Sequence, residues 1–415
     1  MNFLNEVAAD YPEAISFASG RPAQQFFDVD AWWEAPARFQ RHYAEQMGID
    51  AVEAGRLIAQ YGRTAGLINP LIAEQLGNDE GVRCRPDQVV VTAGCQEAMA
   101  LCIQVLCSSP EDVLLVRDPT YIGATGAADL FGVEVVPLSS VGEDDLCDEL
   151  REVAARLTAN GRRARALYLI PEFDNPTGRV LTTRCRARLI ELCAETRIAV
   201  LEDNPYGMFR FEGESVPTMW TLDREGVVIY LATYSKTLCP AVRIGCAVVP
   251  ERLLGDGDAG RELVATLSER KSFLTVNTSQ TNQAMLGGVL LEGGGSLRRR
   301  IVPAIAFYRR NRDVLVDSLE RAFGADPRCR WNVPEGGFFL TLQLPFRFLQ
   351  EDLVACASRY GVIPMPMSYF SFSRANDRAV RLAFSNNDPD AISEGVNRLA
   401  RYVAERKQEH VDEVA

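Results

Sequence analysis

Only three of the 44 basic residues in this chain are lysines: Lys236, Lys271 and Lys407. Lys236 lies in Leu231-Ala232-Thr233-Tyr234-Ser235-Lys236-Thr237-Leu238, directly after the apolar run Val227-Val228-Ile229-Tyr230. An amine at the mouth of a buried strand loses hydration, which favours its uncharged form. A free lone pair is what an amine needs to form a Schiff base with an aldehyde or ketone. A solvated lysine after a strand is the ordinary case, so the groups around Lys236 must decide.

Other turns that follow apolar runs carry complementary groups. Gly94 permits a tight turn, and a helix beginning after it would offer the free N–H groups of Cys95 and Gln96 to a phosphate. Tyr121, at another strand exit, could stack on a flat heteroaromatic ring. The turn Asn175-Pro176-Thr177-Gly178 projects Asn175, a neutral donor suited to a phenolate or a carboxylate. Asp203 ends an apolar run, where an unpaired carboxylate is costly, so it needs a cationic partner such as a protonated pyridine nitrogen. Tyr206 follows three residues later. Thr233 offers a hydroxyl, and Arg243 a bidentate fork for phosphate. Far along the chain, Arg381 sits inside the apolar run Ala379-Val380-Arg381-Leu382-Ala383-Phe384 and calls for a carboxylate. An amine, a carboxylate for a pyridinium, phenolate partners, a stacking ring and a phosphate cup together describe a site for pyridoxal 5′-phosphate, whose chemistry the protein only has to orient.

Placing these groups together requires strands that end side by side. Strands are predicted at Gln88–Thr92, Val113–Val116, Val133–Pro137, Ala166–Ile170, Ile198–Glu202, Val227–Ala232 and Gly245–Val249, with helical spacing between them, as in Glu97–Cys107 and Thr183–Glu195. Such alternation predicts an α/β fold with a mostly parallel sheet flanked by helices, whose ligands bind beyond the carboxyl ends of the strands. After residue 290 the pattern changes to a long helix (Leu297–Phe323), paired strands within Trp331–Leu344, a short strand at Ala379–Phe384 and a closing helix. The expected organisation is therefore an arm over residues 1–45 packing on the small domain, a large cofactor-binding domain over 46–290 and a smaller α+β domain over 291–415. The arm shows no clear period.

Composition narrows the function. A net charge of −12 with 41 scattered arginines argues against a nucleic-acid partner. Eleven cysteines without a C-x-x-C pair read as reduced core residues, and two histidines, His42 and His410, are too few for a histidine triad or metal centre. No metal is expected. Neither a leader pattern nor an apolar run of membrane-spanning length appears, so a cytoplasmic protein without membrane contact is expected.

The chain resembles the fold-type I pyridoxal-phosphate enzymes, class I/II aminotransferases, in the branch that includes kynurenine/α-aminoadipate, aromatic and valine–pyruvate-like enzymes. The likeness is carried, in the family's order, by Tyr61-Gly62-Arg63-Thr64-Ala65-Gly66, Thr92-Ala93-Gly94-Cys95-Gln96-Glu97-Ala98, Asp118-Pro119-Thr120-Tyr121, Asn175-Pro176-Thr177-Gly178, Asp203-Asn204-Pro205-Tyr206, Thr233 through Gly245, Pro334-Glu335-Gly336-Gly337-Phe338-Phe339 and Arg381-Leu382-Ala383-Phe384. It spans roughly residues 15–405. The resemblance implies that Lys236 carries the cofactor as a Schiff base and shuttles the substrate proton, and that Asp203 holds the ring nitrogen protonated. Asn175 and Tyr206 would bond the ring oxygen, and Tyr121 would stack on the ring. Cys95, Gln96, Thr233, Ser235 and Arg243 would bind phosphate. It implies a homodimer with active sites at the interface, in which Tyr61 reaches the neighbouring phosphate. Arg381, with Asn175, would grip the substrate carboxylate, and Gly20 would close over it.

Cys95 stands where the branch often has Ser, Met365-Pro366-Met367-Ser368 replaces a Pro-Gly element, and Arg21 replaces an apolar residue. These departures bear on the substrate. The expected reaction moves an amino group between an amino acid and a 2-oxo acid. The amino acid is expected to be aromatic or otherwise bulky, of the kind used in specialised metabolism, with Arg21 in its pocket. Aromatic candidates for that pocket are Phe17, Phe26, Phe27, Phe173, Trp331, Tyr369 and Phe370. The same residues serve lyases, cyclising enzymes and oxidases that share the cofactor and fold, and single residues do not separate these outcomes. A regulator with an appended DNA-binding domain is disfavoured, because the Gly-Arg-Pro element already appears at residue 20.

Overall fold

The computed structural model describes residues 9–412. Its strands in chain order are β1 (Ile15–Ser16), β2 (Val89–Thr92), β3 (Asp112–Arg117), β4 (Glu134–Leu138), β5 (Arg163–Leu169), β6 (Ala199–Asp203), β7 (Val228–Thr233), β8 (Gly245–Val248), β9 (Arg330–Trp331), β10 (Phe339–Gln343), β11 (Val362–Ile363), β12 (Met365–Pro366) and β13 (Ala379–Ala383). Seven of them form one sheet in the order β2-β8-β7-β6-β5-β3-β4. These are the seven runs read as strands from the sequence.

The sheet is parallel except at β8, which runs antiparallel to both β2 and β7. The sheet is covered on both faces, which is why the middle of its strands is apolar. Val89, Val91, Leu114, Leu115, Val228 and Ile229 are fully enclosed, and each contributes about 1.5–3 kcal/mol by leaving water.

The reversed strand has a consequence for the site. Gly245, the first residue of β8, pairs with Thr92 and Thr233, the last residues of β2 and β7. The segment just before β8 therefore lies at the same edge as the turns after the parallel strands. A side chain at position 245 would not fit there, because a Cβ would stand 2.4 Å from the Cys95 backbone nitrogen.

A second sheet, β12-β13-β10-β9, is antiparallel throughout. The helices Arg298–Phe323 and Pro389–Asp412 pack on one another beside it. Arg381 lies in its middle, between Met365 of β12 and Thr341 of β10.

The N-terminal segment departs from expectation. Its two-residue strand β1 pairs in parallel with β11. Residues Val29–Met47, however, form a 19-residue helix capped by Asp28, whose carboxylate accepts from Ala31 N–H at 3.2 Å, and closed by Gly48 at φ 65°. That helix packs on Gln280–Glu292, not on the second sheet. The two approach so closely at Ala35 that a Cβ on Gly288 would lie 1.8 Å from the Ala35 carbonyl. Pro36 and a scatter of polar residues hide the helical period in the sequence, and the contact with Gln280–Glu292 stabilises what propensity alone does not.

Candidate active site

A cavity of about 460 Å³ opens beyond the carboxyl ends of β2, β3, β5, β6 and β7. Of the thirteen residues given roles by the resemblance and Arg21, fourteen in all, thirteen line it. The exception is Tyr61, which is exposed and lies away from the cavity.

Asp203, the last residue of β6, is buried. Tyr168 on the adjacent β5 donates to its Oδ2 at 2.7 Å, and the Cys95 thiol donates to Oδ1 at 3.4 Å. Burial pushes the Asp203 carboxyl up to about 6, against the pull of these two bonds and of Lys236. Two neutral donors hold the carboxylate, and among the described residues no cation bonds it directly. The thiol of Cys95 thus takes up a contact of its own in place of the hydroxyl expected at that position.

Lys236 follows β7 and donates from Nζ to the Gly20 carbonyl at 2.9 Å. Loss of hydration, reinforced by Arg381, brings its amine down to about 8, while Asp203 acts in the opposite sense. The shift brings the unprotonated, nucleophilic form of the amine closer to neutral pH than in an ordinary lysine.

The phosphate-type cradle is built from three turns. Gly94 caps the helix Cys95–Leu106 at φ 83°, ψ 163°, a conformation that only glycine adopts readily. A Cβ there would stand 2.3 Å from Arg243 Nη2. Arg243 donates to the Ser235 hydroxyl at 3.3 Å and to the Ala93 carbonyl at 3.4 Å. Thr233 Oγ1 accepts from Ser235 N–H at 3.2 Å, and Gln96 is held by its bond to the Gly123 carbonyl at 2.8 Å. The guanidinium, the hydroxyls and a helix N-terminus face one space, which suits a dianion.

On the opposite wall, Arg381 is buried and its Nη1 donates to Asn175 Oδ1 at 2.6 Å. A second bond runs from Nη2 to the Ala18 carbonyl. Phe339 and Phe370 cover the two sides of the guanidinium at 4.4 and 4.7 Å. Its Nε has no hydrogen-bond partner among the described residues, and burial lowers the group to about 10. A buried, incompletely satisfied guanidinium is a carboxylate receptor in waiting. Tyr121 and Tyr206 line the space between. Burial pushes the Tyr121 phenol up to about 12 and the Tyr206 phenol up as well, so both are neutral donors.

The aromatic lining differs from expectation. Of the candidates, only Phe370 lines the cavity, and it is joined by Phe339, which had no place among them. Phe17 and Phe173 are fully enclosed core residues. Phe26 packs on Phe307 and Tyr308, and Phe27 on Trp32. Trp331 and Tyr369 lie outside the lining. Tyr168 was also missed. Its signal was a tyrosine inside an apolar strand, and only the register of β5 against β6 sets it on the same face as Asp203.

The residues fit pyridoxal 5′-phosphate by their chemistry. A buried carboxylate stands without a bonded cation, a glycine leaves room beside Arg243, and an amine is partly deprotonated in the same cavity. Among the described residues, no group of three or more His, Cys, Asp or Glu could hold a metal, and no helix is long and apolar enough to cross a membrane.

Comparison with known proteins agrees with this chemistry. The family model "Aminotransferase class I and II" matches residues 12–399. The chain is 40% identical over 411 residues to a (S)-3,5-dihydroxyphenylglycine transaminase of Amycolatopsis orientalis, which covers 98% of this chain and 91% of that protein. It is 30% identical over 397 residues to the aromatic-amino-acid aminotransferase 1 of Thermococcus litoralis, at 95% and 88% coverage. Its fold matches an α-aminoadipate aminotransferase of Thermus thermophilus, solved with N-(5′-phosphopyridoxyl)-L-leucine, with a TM-score of 0.80, 30% identity, and coverage of 96% of this chain and 94% of that one. The chain belongs to the class I and II aminotransferases and is a pyridoxal-phosphate-dependent aminotransferase of the fold-type I architecture.

Proposed function

We propose that this aminotransferase takes its amino group from an aromatic or otherwise bulky amino acid and passes it to a 2-oxo acid. The observation that carries the site assignment is the convergence of Lys236, Asp203 and Arg381 on one cavity. The likeness to a dihydroxyphenylglycine transaminase and an aromatic aminotransferase supports the substrate class. So does the pairing of Phe339 and Phe370 beside Arg381.

Pyridoxal phosphate, when bound, supplies an aldehyde for Schiff-base formation and a protonated ring that withdraws electrons from the substrate α-carbon. In this reading Asp203 keeps the ring nitrogen protonated, its own ionised form stabilised by that cation. Asn175 and Tyr206 orient the ring oxygen, and Tyr121 packs against the ring. Ser235, Thr233, Arg243 and the backbone N–H groups of Cys95 and Gln96 bind the phosphate. Arg381 fixes the α-carboxylate, with Asn175 steadying the guanidinium. Lys236 Nζ would act as general base towards the substrate α-proton and, once protonated, as general acid. Gly20 and Arg21 cover the cavity from the N-terminal segment.

The working unit is proposed to be a cytoplasmic homodimer in which exposed Tyr61 meets the phosphate of the neighbouring subunit. Each subunit divides into the arm, large and small domains set out above, with helix Val29–Met47 assigned to the large domain because it packs on Gln280–Glu292.

A single-turnover experiment tests the reaction and the substrate class. Holoenzyme is mixed with individual amino acids while the absorption of the aldehyde form of the cofactor is followed to the amine form and 2-oxo acid is quantified. Aromatic donors are expected to convert the cofactor fully, with one 2-oxo acid released per site. Full conversion by alanine and valine with none by any aromatic donor would overturn the substrate class. Lys236→Ala is expected to lose every borohydride-reducible attachment of cofactor to protein, and retention of one would refute the role of Lys236.

A further inference from the structure

The second of the three lysines is buried beside the same site. Lys271 lies in the helix Ala259–Leu274 with its side chain fully enclosed. Its Nζ stands 3.2 Å from Glu97 Oε2 and donates to the Thr275 hydroxyl at 2.7 Å. That hydroxyl donates in turn to Glu97 Oε1 at 2.8 Å. Glu97 Oε2 also accepts the Ala93 N–H at 2.6 Å. Ala93 precedes Gly94, and its carbonyl accepts from Arg243. The ion pair thus underlies the turn Ala93-Gly94-Cys95.

The placement of Glu97 is electrostatically awkward. It sits in the first turn of the helix Cys95–Leu106, whose N-terminus points into the phosphate-type cradle. A carboxylate there uses the same positive end of the helix as a bound phosphate would, and repels it. It cannot simply be absent, because it fixes the Ala93 N–H. A buried cation removes the conflict: the carboxylate keeps its bond to Ala93 while its charge is cancelled.

We infer that Lys271 is a positioning residue for cofactor binding, which, paired with Glu97, neutralises the carboxylate behind the phosphate-binding turn and lets Glu97 hold that turn in shape. The inference rests on the reading that the turn Gly94–Gln96 receives the phosphate. It gives a function to a buried lysine that touches neither substrate nor cofactor.

The test is a titration of the cofactor-free full-length chain with pyridoxal phosphate and, separately, with pyridoxal, which has the aldehyde but no phosphate. Lys271→Met is expected to raise the Kd for pyridoxal phosphate by about tenfold or more, the scale expected when one partner of a buried pair is removed, and to leave that for pyridoxal unchanged. The double variant Glu97→Gln/Lys271→Met carries no uncancelled charge and keeps an acceptor for Ala93, so its affinity for pyridoxal phosphate is expected to return to within about threefold of the parent, under 1 kcal/mol. An unchanged affinity in folded Lys271→Met, or an equal loss for both ligands, would overturn the inference. So would a selective loss that persists in the double variant. If Lys271→Met does not fold, the double variant alone decides, and poor phosphate-selective binding by it counts against the inference. Arg243→Ala serves as the control. If it fails to separate the two ligands, the assignment of the phosphate cradle itself is at fault, whatever Lys271 does.

Discussion

The Tyr168 hydroxyl donates to Asp203 Oδ2 at 2.7 Å across neighbouring strands of the parallel sheet. The bond favours the ionised carboxylate against the burial that opposes it. Tyr168→Phe removes the donor without disturbing the apolar ring, so the Asp203 carboxyl is expected to titrate higher still. A bond to a charged group contributes about 1.5–3 kcal/mol, so kcat/KM should fall by about tenfold or more. The acid limb of the pH profile should move to higher pH, because ionised Asp203 is the working form in the proposed mechanism. A profile that falls uniformly at every pH would separate Tyr168 from Asp203.

Asp203 also sets a stability cost in the cofactor-free chain. Its carboxyl rises from 3.8 to about 6 on folding. The folded state thus holds the proton more tightly than the unfolded state. No penalty exists below about pH 4; it grows as pH rises and is complete above about 6, reaching at most about 3 kcal/mol. Asp203→Asn is expected to make the cofactor-free protein more stable than the parent at pH 7.5, to narrow that gap towards pH 4, and to abolish most amino-transfer activity. Denaturant unfolding at the two pH values measures the first, and a variant less stable than the parent at pH 7.5 would contradict it.

Arg381 acts on two groups at once. Arg381→Gln removes the proposed carboxylate receptor and is expected to reduce kcat/KM for amino acids by about two to three orders of magnitude, as for a buried charged anchor. After burial, Arg381 is also the largest influence holding the Lys236 amine down at about 8. Its loss should therefore raise the pH at which pyridoxal phosphate is incorporated at half its maximal rate. An unchanged midpoint would show that the guanidinium does not act on the amine.

Gly94 tests the geometry of the cradle. Gly94→Ala must carry a side chain at φ 83° and place its Cβ 2.3 Å from Arg243 Nη2. The backbone strain costs about 1–3 kcal/mol, and the displaced guanidinium should weaken cofactor binding further. Thermal unfolding of the cofactor-free chain reads the first effect, and titration with pyridoxal phosphate reads both. Parent-like values in each would mean that the turn relaxes freely.

Much of this was legible in the sequence because chemistry and fold coincide at strand ends. Short apolar runs between amphipathic stretches located the main sheet, and in most cases the turn after a run supplied residues that line the cavity. What escaped depended on register or on partners remote in sequence. Tyr168 looks like any core tyrosine until β5 is set against β6. Phe339 reaches the cavity only because β10 pairs with β13 beside Arg381. The reversed direction of β8, which brings Arg243 to the edge, has no local signature either. Helix Val29–Met47 was hidden by Pro36 and by an apolar face that finds its partner some 250 residues away in Gln280–Glu292. The aromatic residues chosen from loops failed as pocket walls because large rings are usually consumed by the core, as Phe17 and Phe173 are.

The main-chain carbonyls of Ala18 and Gly20 accept hydrogen bonds from Arg381 and Lys236. Two cavity cations borne on different sheets are thus tied to one short strip of chain. Both acceptors belong to the backbone, so no side-chain replacement deletes them. Shifting where that strip rests is therefore a second way to reshape the cavity, and a side chain at Gly20, whose Cβ would stand 2.2 Å from the Phe339 ring, is expected to force such a shift.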